Sequence, residues 1–245
     1  MKAFLALALF VPSLVLGQEP ALKSLRLIPL GEGAEWAEKL EGEKRIQIIK
    51  DGQMPSPEVS MANGRKDGKH TADLFLRRMT PTMRFSPKVE HLQLYAGKEL
   101  NGPPMVKAPF PRCQSSLGLL YTGRGEGKNW KEPKILLLDD GEKAFPLGQM
   151  RFANVSDQVA LVKAGKKLLV INPGEAKQLS LKPGNNEVMI GYQVKGTKSQ
   201  VVLHKAWQVR IMANQRVQAF FFNKNSKKRE KLVGFISMPE PKPKL

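Results

Sequence analysis

Apolar and polar residues alternate with a period of two along most of this chain, and that pattern limits the folds open to it. Between 187 and 194, Val188, Ile190, Tyr192 and Val194 point one way, while Glu187, Met189, Gly191 and Gln193 point the other. From Val201 to Ile211 the odd positions read Val, Leu, Lys, Trp, Val, Ile and the even ones Val, His, Ala, Gln, Arg. A period of two is that of a β-strand, and a strand with one apolar face belongs to an antiparallel sheet with one wet side. The same signal predicts strands over 25–30, 45–50, 74–78, 91–95, 117–121, 135–139, 150–155, 159–163, 168–171, 177–181, 217–222 and 232–237.

Turn chemistry separates these segments. Ala164-Gly165-Lys166, Asn172-Pro173-Gly174, Lys182-Pro183-Gly184 and Asp140-Gly141 supply the positive or fixed φ at which a chain reverses. Only Ala34–Leu40 has a helical cadence, and it is too short to stand without packing. Residues 55–71 read as a long polar loop. Many short strands with frequent turns predict an all-β chain of two tandem antiparallel β-sandwiches, Ig-like or similar.

The polar, Pro-containing run DDGEKAFPLG at 139–148 is the natural boundary. It divides the chain into an N-terminal sandwich over 18–141 and a C-terminal one over 142–239. A Pro- and Lys-rich tail at 240–245 is expected to be extended and solvated. Residues 1–17, MKAFLALALFVPSLVLG, have the form of a secretory signal peptide. Lys2 precedes a short apolar run, and Val15 and Gly17 are small residues at −3 and −1 of a cut between Gly17 and Gln18. The expectation is export to the periplasm or beyond. No later run is apolar for 18 residues, so no transmembrane segment is expected.

Charge is divided unevenly. Residues 18–141 carry 20 Lys and Arg against 16 Asp and Glu, whereas 142–245 carry 19 against 6. A half this basic attracts polyanions. In an envelope these are lipid headgroups, acidic polysaccharides, phosphate-bearing glycans or extracellular DNA. Lys166, Lys167, Lys227, Lys228 and Arg229 fall at expected hairpin tips and are the candidate polyanion-binding residues. They imply no sequence-specific recognition of nucleic acid.

Catalytic signatures are weak. Cys113 is the single cysteine, so no internal disulfide can form, and its neighbours offer no base. His70, His91 and His204 lack metal-ligand spacing, and the last two fall on faces expected to meet solvent. A blue-copper site needs His and Met close to the Cys, and Cys113 is followed by Gln-Ser-Ser-Leu-Gly. Gly123-Arg124-Gly125-Glu126-Gly127-Lys128 continues with Asn129, so it lacks the Ser or Thr of a phosphate loop. Asp139-Asp140 is read as a strand-ending turn, and the Asn154-Val155-Ser156 glycosylation triplet lies inside an expected strand. No cofactor or metal is expected.

QMRFANVSDQVALVKAGKKLLVINPGEAKQLSL at 149–181 has a cadence of its own: RxxNVS on a strand, then GKKLxxINPGE on a hairpin. With the preceding LLLDDGEKAFPLG it resembles a run found in uncharacterised bacterial secreted β-sandwich proteins, over about 135–240. The resemblance implies the fold and an envelope address and brings no functional residues. Two basic sandwiches of this size are also similar in architecture to periplasmic pilus chaperones, although no Arg/Lys anchoring pair is assigned here. Three readings follow: a non-enzymatic envelope binding protein, an accessory or chaperone-like module that pairs strand edges with exported proteins, and an enzyme with a site not visible in sequence.

Overall fold

The computed structural model describes residues 21–34, 36–41, 44–49, 52–66, 68–124, 129–194, 200–226, 228 and 231–241. Residues 1–17, expected to be a signal peptide, the Gly125–Lys128 stretch, Lys227, Arg229 and residues 242–245 lie outside them. The chain is all-β, and among the described residues no helix is long and apolar enough to cross a membrane.

The first unit comprises β1 (Lys23–Leu30), β2 (Trp36–Glu41), β3 (Lys44–Ile49), β4 (Glu58–Ala62), β5 (Lys69–Asp73), β6 (Met83–Phe85), β7 (His91–Ala96), β8 (Val106–Pro109), β9 (Ser115–Tyr121) and β10 (Lys134–Asp139). The second comprises β11 (Gln149–Asn154), β12 (Val159–Ala164), β13 (Lys167–Ile171), β14 (Ala176–Ser180), β15 (Gly184–Gln193), β16 (Val201–Ile211), β17 (Gln215–Asn223) and β18 (Val233–Pro241). Each unit stacks two four-stranded sheets: β10-β9-β1-β6 on β5-β4-β7-β8, and β18-β17-β11-β14 on β13-β12-β15-β16. The two orders coincide strand for strand once the β2–β3 hairpin is set aside as an insertion. The molecule is therefore the same topology used twice.

Each sandwich has its own core. Leu25, Leu27, Val59, Met61, Phe85, Leu92 and Leu94 fill the first. Met150, Phe152, Val162, Val188, Ile190, Tyr192 and Phe221 fill the second. A third cluster joins the two units. Ile28, Leu30, Leu117 and Leu119 of the first pack on Ala153, Val155, Phe220 and Phe222 of the second. This explains why Phe220-Phe221-Phe222 is buried on both strand faces: Phe221 enters the sandwich core, and its neighbours enter the junction.

Several expectations are corrected. The sheets are not wholly antiparallel, because β1–β9 and β11–β17 are parallel pairs. Their partners are far apart in sequence, and the intervening strands supply the long crossover that parallel pairing requires. Within the span expected to be helical, Trp36–Leu40 instead belongs to the β2–β3 hairpin, where ladder bonds satisfy groups that a helix of this length would leave open. The strand placed at 74–78 is instead a turn, closed by Arg78 N–H on the Phe75 carbonyl and by Arg77 at φ 60°. The strand there is β5, and it pairs with β4 inside the stretch read as a loop at 55–71. The last strand runs further than expected: Pro239 to Pro241 extend β18, at the sheet edge, where proline is tolerated.

Candidate functional site

The β12–β13 turn places Lys166 and Lys167 in full solvent, beside exposed Lys163. Lys228 is also exposed, in the β17–β18 connection. The two groups lie at opposite ends of the second sandwich. Leu232 N–H donates to the Tyr192 hydroxyl, and Tyr192 is opposite Ala160 near the start of β12, whereas the lysine tip follows Ala164 at its end. Four residues of strand separate those ends, about 13 Å. The described candidate lysines therefore fall in two places, Lys166 and Lys167 at one end and Lys228 at the other, rather than in one patch.

Other sequence candidates take structural places. The Cys113 thiol is half-buried and lies 3.2 Å from the Ser115 carbonyl and 3.3 Å from Ser116 Oγ. His91 is exposed, and His70 Nε2 is 2.6 Å from the Arg84 carbonyl. Asn154 is fully buried and donates to the Gln158 and Ile171 carbonyls. Among the described residues no cluster of three His, Cys, Asp or Glu side chains is arranged for a metal.

Asp140 is more than a turn residue. Its carboxylate is 1% exposed and accepts from three guanidinium groups: Arg26, Arg151 at 2.6 Å and Arg216 at 3.1 Å. Glu240 receives Arg26 at 3.0 Å and Arg216 at 3.1 Å. Gln218 bridges Arg151 to Asp140, and both Arg151 and Arg216 lie over the buried Phe145 ring, 4.3 and 5.0 Å from its centroid. Burial lowers the affinity of Arg151 for its proton, and Asp140 offsets only part of that loss. At Arg26 burial acts the same way, but Asp140 and Glu240 together outweigh it, so the pKa rises. Buried charges of this kind are tolerated because each guanidinium faces a carboxylate. The network fastens the 140–148 connection, making it a packed joint rather than a free linker.

The outer face of the β13-β12-β15-β16 sheet is a different kind of surface. A bulge falls at His204, since Leu203 is opposite Gly191 and Lys205 is opposite Ile190. An extra residue reverses which parity faces the core. Trp207, Val209 and Ile211 therefore point inward after it, but Val202 does so before it, and Val201 and Leu203 turn outward at 58% and 65% exposure. Leu168 and Val170 of β13 share that outer face at 60% and 43% exposure. One row across the sheet reads Val170, Leu161, Gly191, Leu203. Gly191 is fixed by the bulge, because a Cβ there would come within 2.6 Å of the Val202 carbonyl oxygen. His204 is half-buried, contrary to the solvent-facing expectation. Burial, then Lys224 and Lys205, lowers its pKa.

Sequence reasoning missed this face because a continuous alternation was carried through the bulge. The usable signal was β13, LysLeuLeuValIle, which is apolar at both parities although a half-buried strand needs only one. The equivalent face of the first sandwich carries Thr71, Ser60, Tyr95, Gln93 and Lys107. The fold does not require apolar residues there. No protein-family model matches this chain, and a comparison with curated proteins returns no match.

Proposed function

We propose that this chain is an exported, non-enzymatic binding protein of the bacterial envelope that engages polyanions through its basic second half. The observation that carries the reading is the exposed tip formed by Lys163, Lys166 and Lys167, for which no ion pair is found among the described residues. These side chains reach a partner without prior desolvation or the loss of an internal pair. The resemblance of 135–240 to secreted β-sandwich proteins and the leader-like residues 1–17 support the envelope address.

The test is retention of the chain from Gln18 on heparin and on envelope polysaccharide. Affinity should fall log-linearly between about 50 and 200 mM salt, as counterion release demands. Changing Lys166, Lys167, Lys227, Lys228 and Arg229 to Gln should remove most of it. No retention at low salt, or retention indifferent to salt, overturns the reading. A second reading, strand-edge pairing with an exported protein, is favoured by β16: this 11-residue strand ends its sheet and, among the described residues, pairs with β15 alone. Salt-independent capture of extended apolar peptides would select it.

A further inference from the structure

We propose that the outer face of the β13-β12-β15-β16 sheet docks on an anionic lipid surface. Leu168, Val170, Val201 and Leu203 would enter the headgroup–acyl boundary, and Lys163, Lys166 and Lys167 would rest on lipid phosphates. The proposal rests on the polyanion reading and names the partner of that half.

Two independent features meet on this face. The first is apolar area exposed at four strands, around a depression lined by Leu161, Leu168, Met189, Gly191, Val201 and Leu203. The corresponding face of the first sandwich is polar, so sandwich formation does not explain the apolar side chains. The second is the sign of the surrounding charge. Lys163 lies within the depression, and Lys166 and Lys167 sit at the adjoining tip. Between 157 and 211 there are nine Lys and Arg against three Asp and Glu. Of the three, Glu175 is engaged by Asn172 and Lys177, and Glu187 stands on the same face at the far side of Met189.

Charge complementarity selects the occupant. A soluble polyanion would use the lysines and leave the leucines wet. An apolar peptide would use the leucines and gain nothing from the lysines. A second copy packed face to face over the depression would bring Lys163 and its symmetry mate, like charges, onto the same apolar surface. A bilayer with anionic headgroups satisfies both features, in the manner of interfacial proteins that combine shallow apolar insertion with basic residues.

The experiment is co-sedimentation of the chain from Gln18 with vesicles of phosphatidylcholine alone and of phosphatidylcholine mixed with phosphatidylglycerol, run beside heparin retention. Two variants are compared: Leu168→Ser with Leu203→Ser, and Lys163→Gln with Lys166→Gln and Lys167→Gln. All five residues are exposed, so both variants should fold as the parent does, which circular dichroism checks. The parent should bind only the anionic vesicles. The leucine variant should lose roughly tenfold in partitioning and keep its heparin retention. The lysine variant should lose about fivefold per lysine and weaken on heparin as well. Unchanged vesicle binding by the leucine variant overturns the docking face. Heparin binding without vesicle binding overturns the lipid partner and leaves the polyanion reading standing. Binding to neither removes both. A dimer that Leu203→Ser abolishes, without vesicle binding, replaces the lipid by a second copy.

Discussion

Arg26 and Arg151 occupy the same position in the two sandwiches and meet on one carboxylate, Asp140. Arg26 is opposite Leu117, which is opposite Leu138; Arg151 is opposite Gln218, which is opposite Met238. With the rows matched in this way, the junction cluster matches as well: Ile28 with Ala153, Leu30 with Val155, Leu119 with Phe220, and Leu136 with Ile236. Asp140 then falls opposite Glu240 in the scheme. The joint therefore has pseudo-two-fold symmetry, with an arginine and a carboxylate from each half, and Arg216 with Phe145 breaks the symmetry. The far end of the joint is closed by Lys224 on Glu32 and by Arg124 donating to the Leu232 carbonyl.

Asp140→Asn leaves three guanidinium groups with one remaining carboxylate in a largely buried site. Removal of one partner from a buried pair typically costs about 3–5 kcal/mol. Urea denaturation should show a loss in that range, and Glu240→Gln, nearer the surface, should cost less. A loss below about 1 kcal/mol would mean the network behaves as a surface one.

Gly234 lies opposite Phe222, whose ring atoms come within 2.3 Å of the place a Cβ would take. The ring is 3% exposed and packed in the junction cluster. Gly234→Ala should destabilise by about 1–3 kcal/mol, the usual cost of overpacking. Thermal denaturation of Gly234→Ala alone and combined with Phe222→Leu checks this, because the smaller side chain should recover part of the loss.

His204 has a pKa below its ordinary value, through burial first and then Lys224 and Lys205. The unfolded chain therefore binds this proton more readily than the folded one. Stability is full above about pH 6.5 and falls as the pH drops from there toward the folded pKa. His204→Gln should flatten the dependence of stability on pH below about 6.5 relative to the parent. A parallel profile for the two proteins would show that His204 is not the group responsible.

The alternation of apolar residues was enough to determine that this chain is all-β, because side-chain periodicity is a local property of backbone geometry. The exposed lysines at 166 and 167 were legible for the same reason: Gly165 marks a tight turn, and a turn projects into solvent. Tertiary structure decided the rest. Asp140 reads as a turn residue until Arg26 and Arg216, 114 and 76 positions away, converge on it. β1 and β9 pair in parallel over a separation that no local pattern encodes. The helical cadence of 34–40 yielded to a hairpin because only a ladder satisfies its backbone groups. The outward turn of Val201 and Leu203 depends on one extra residue at His204, and a single insertion in a strand exchanges its inner and outer faces.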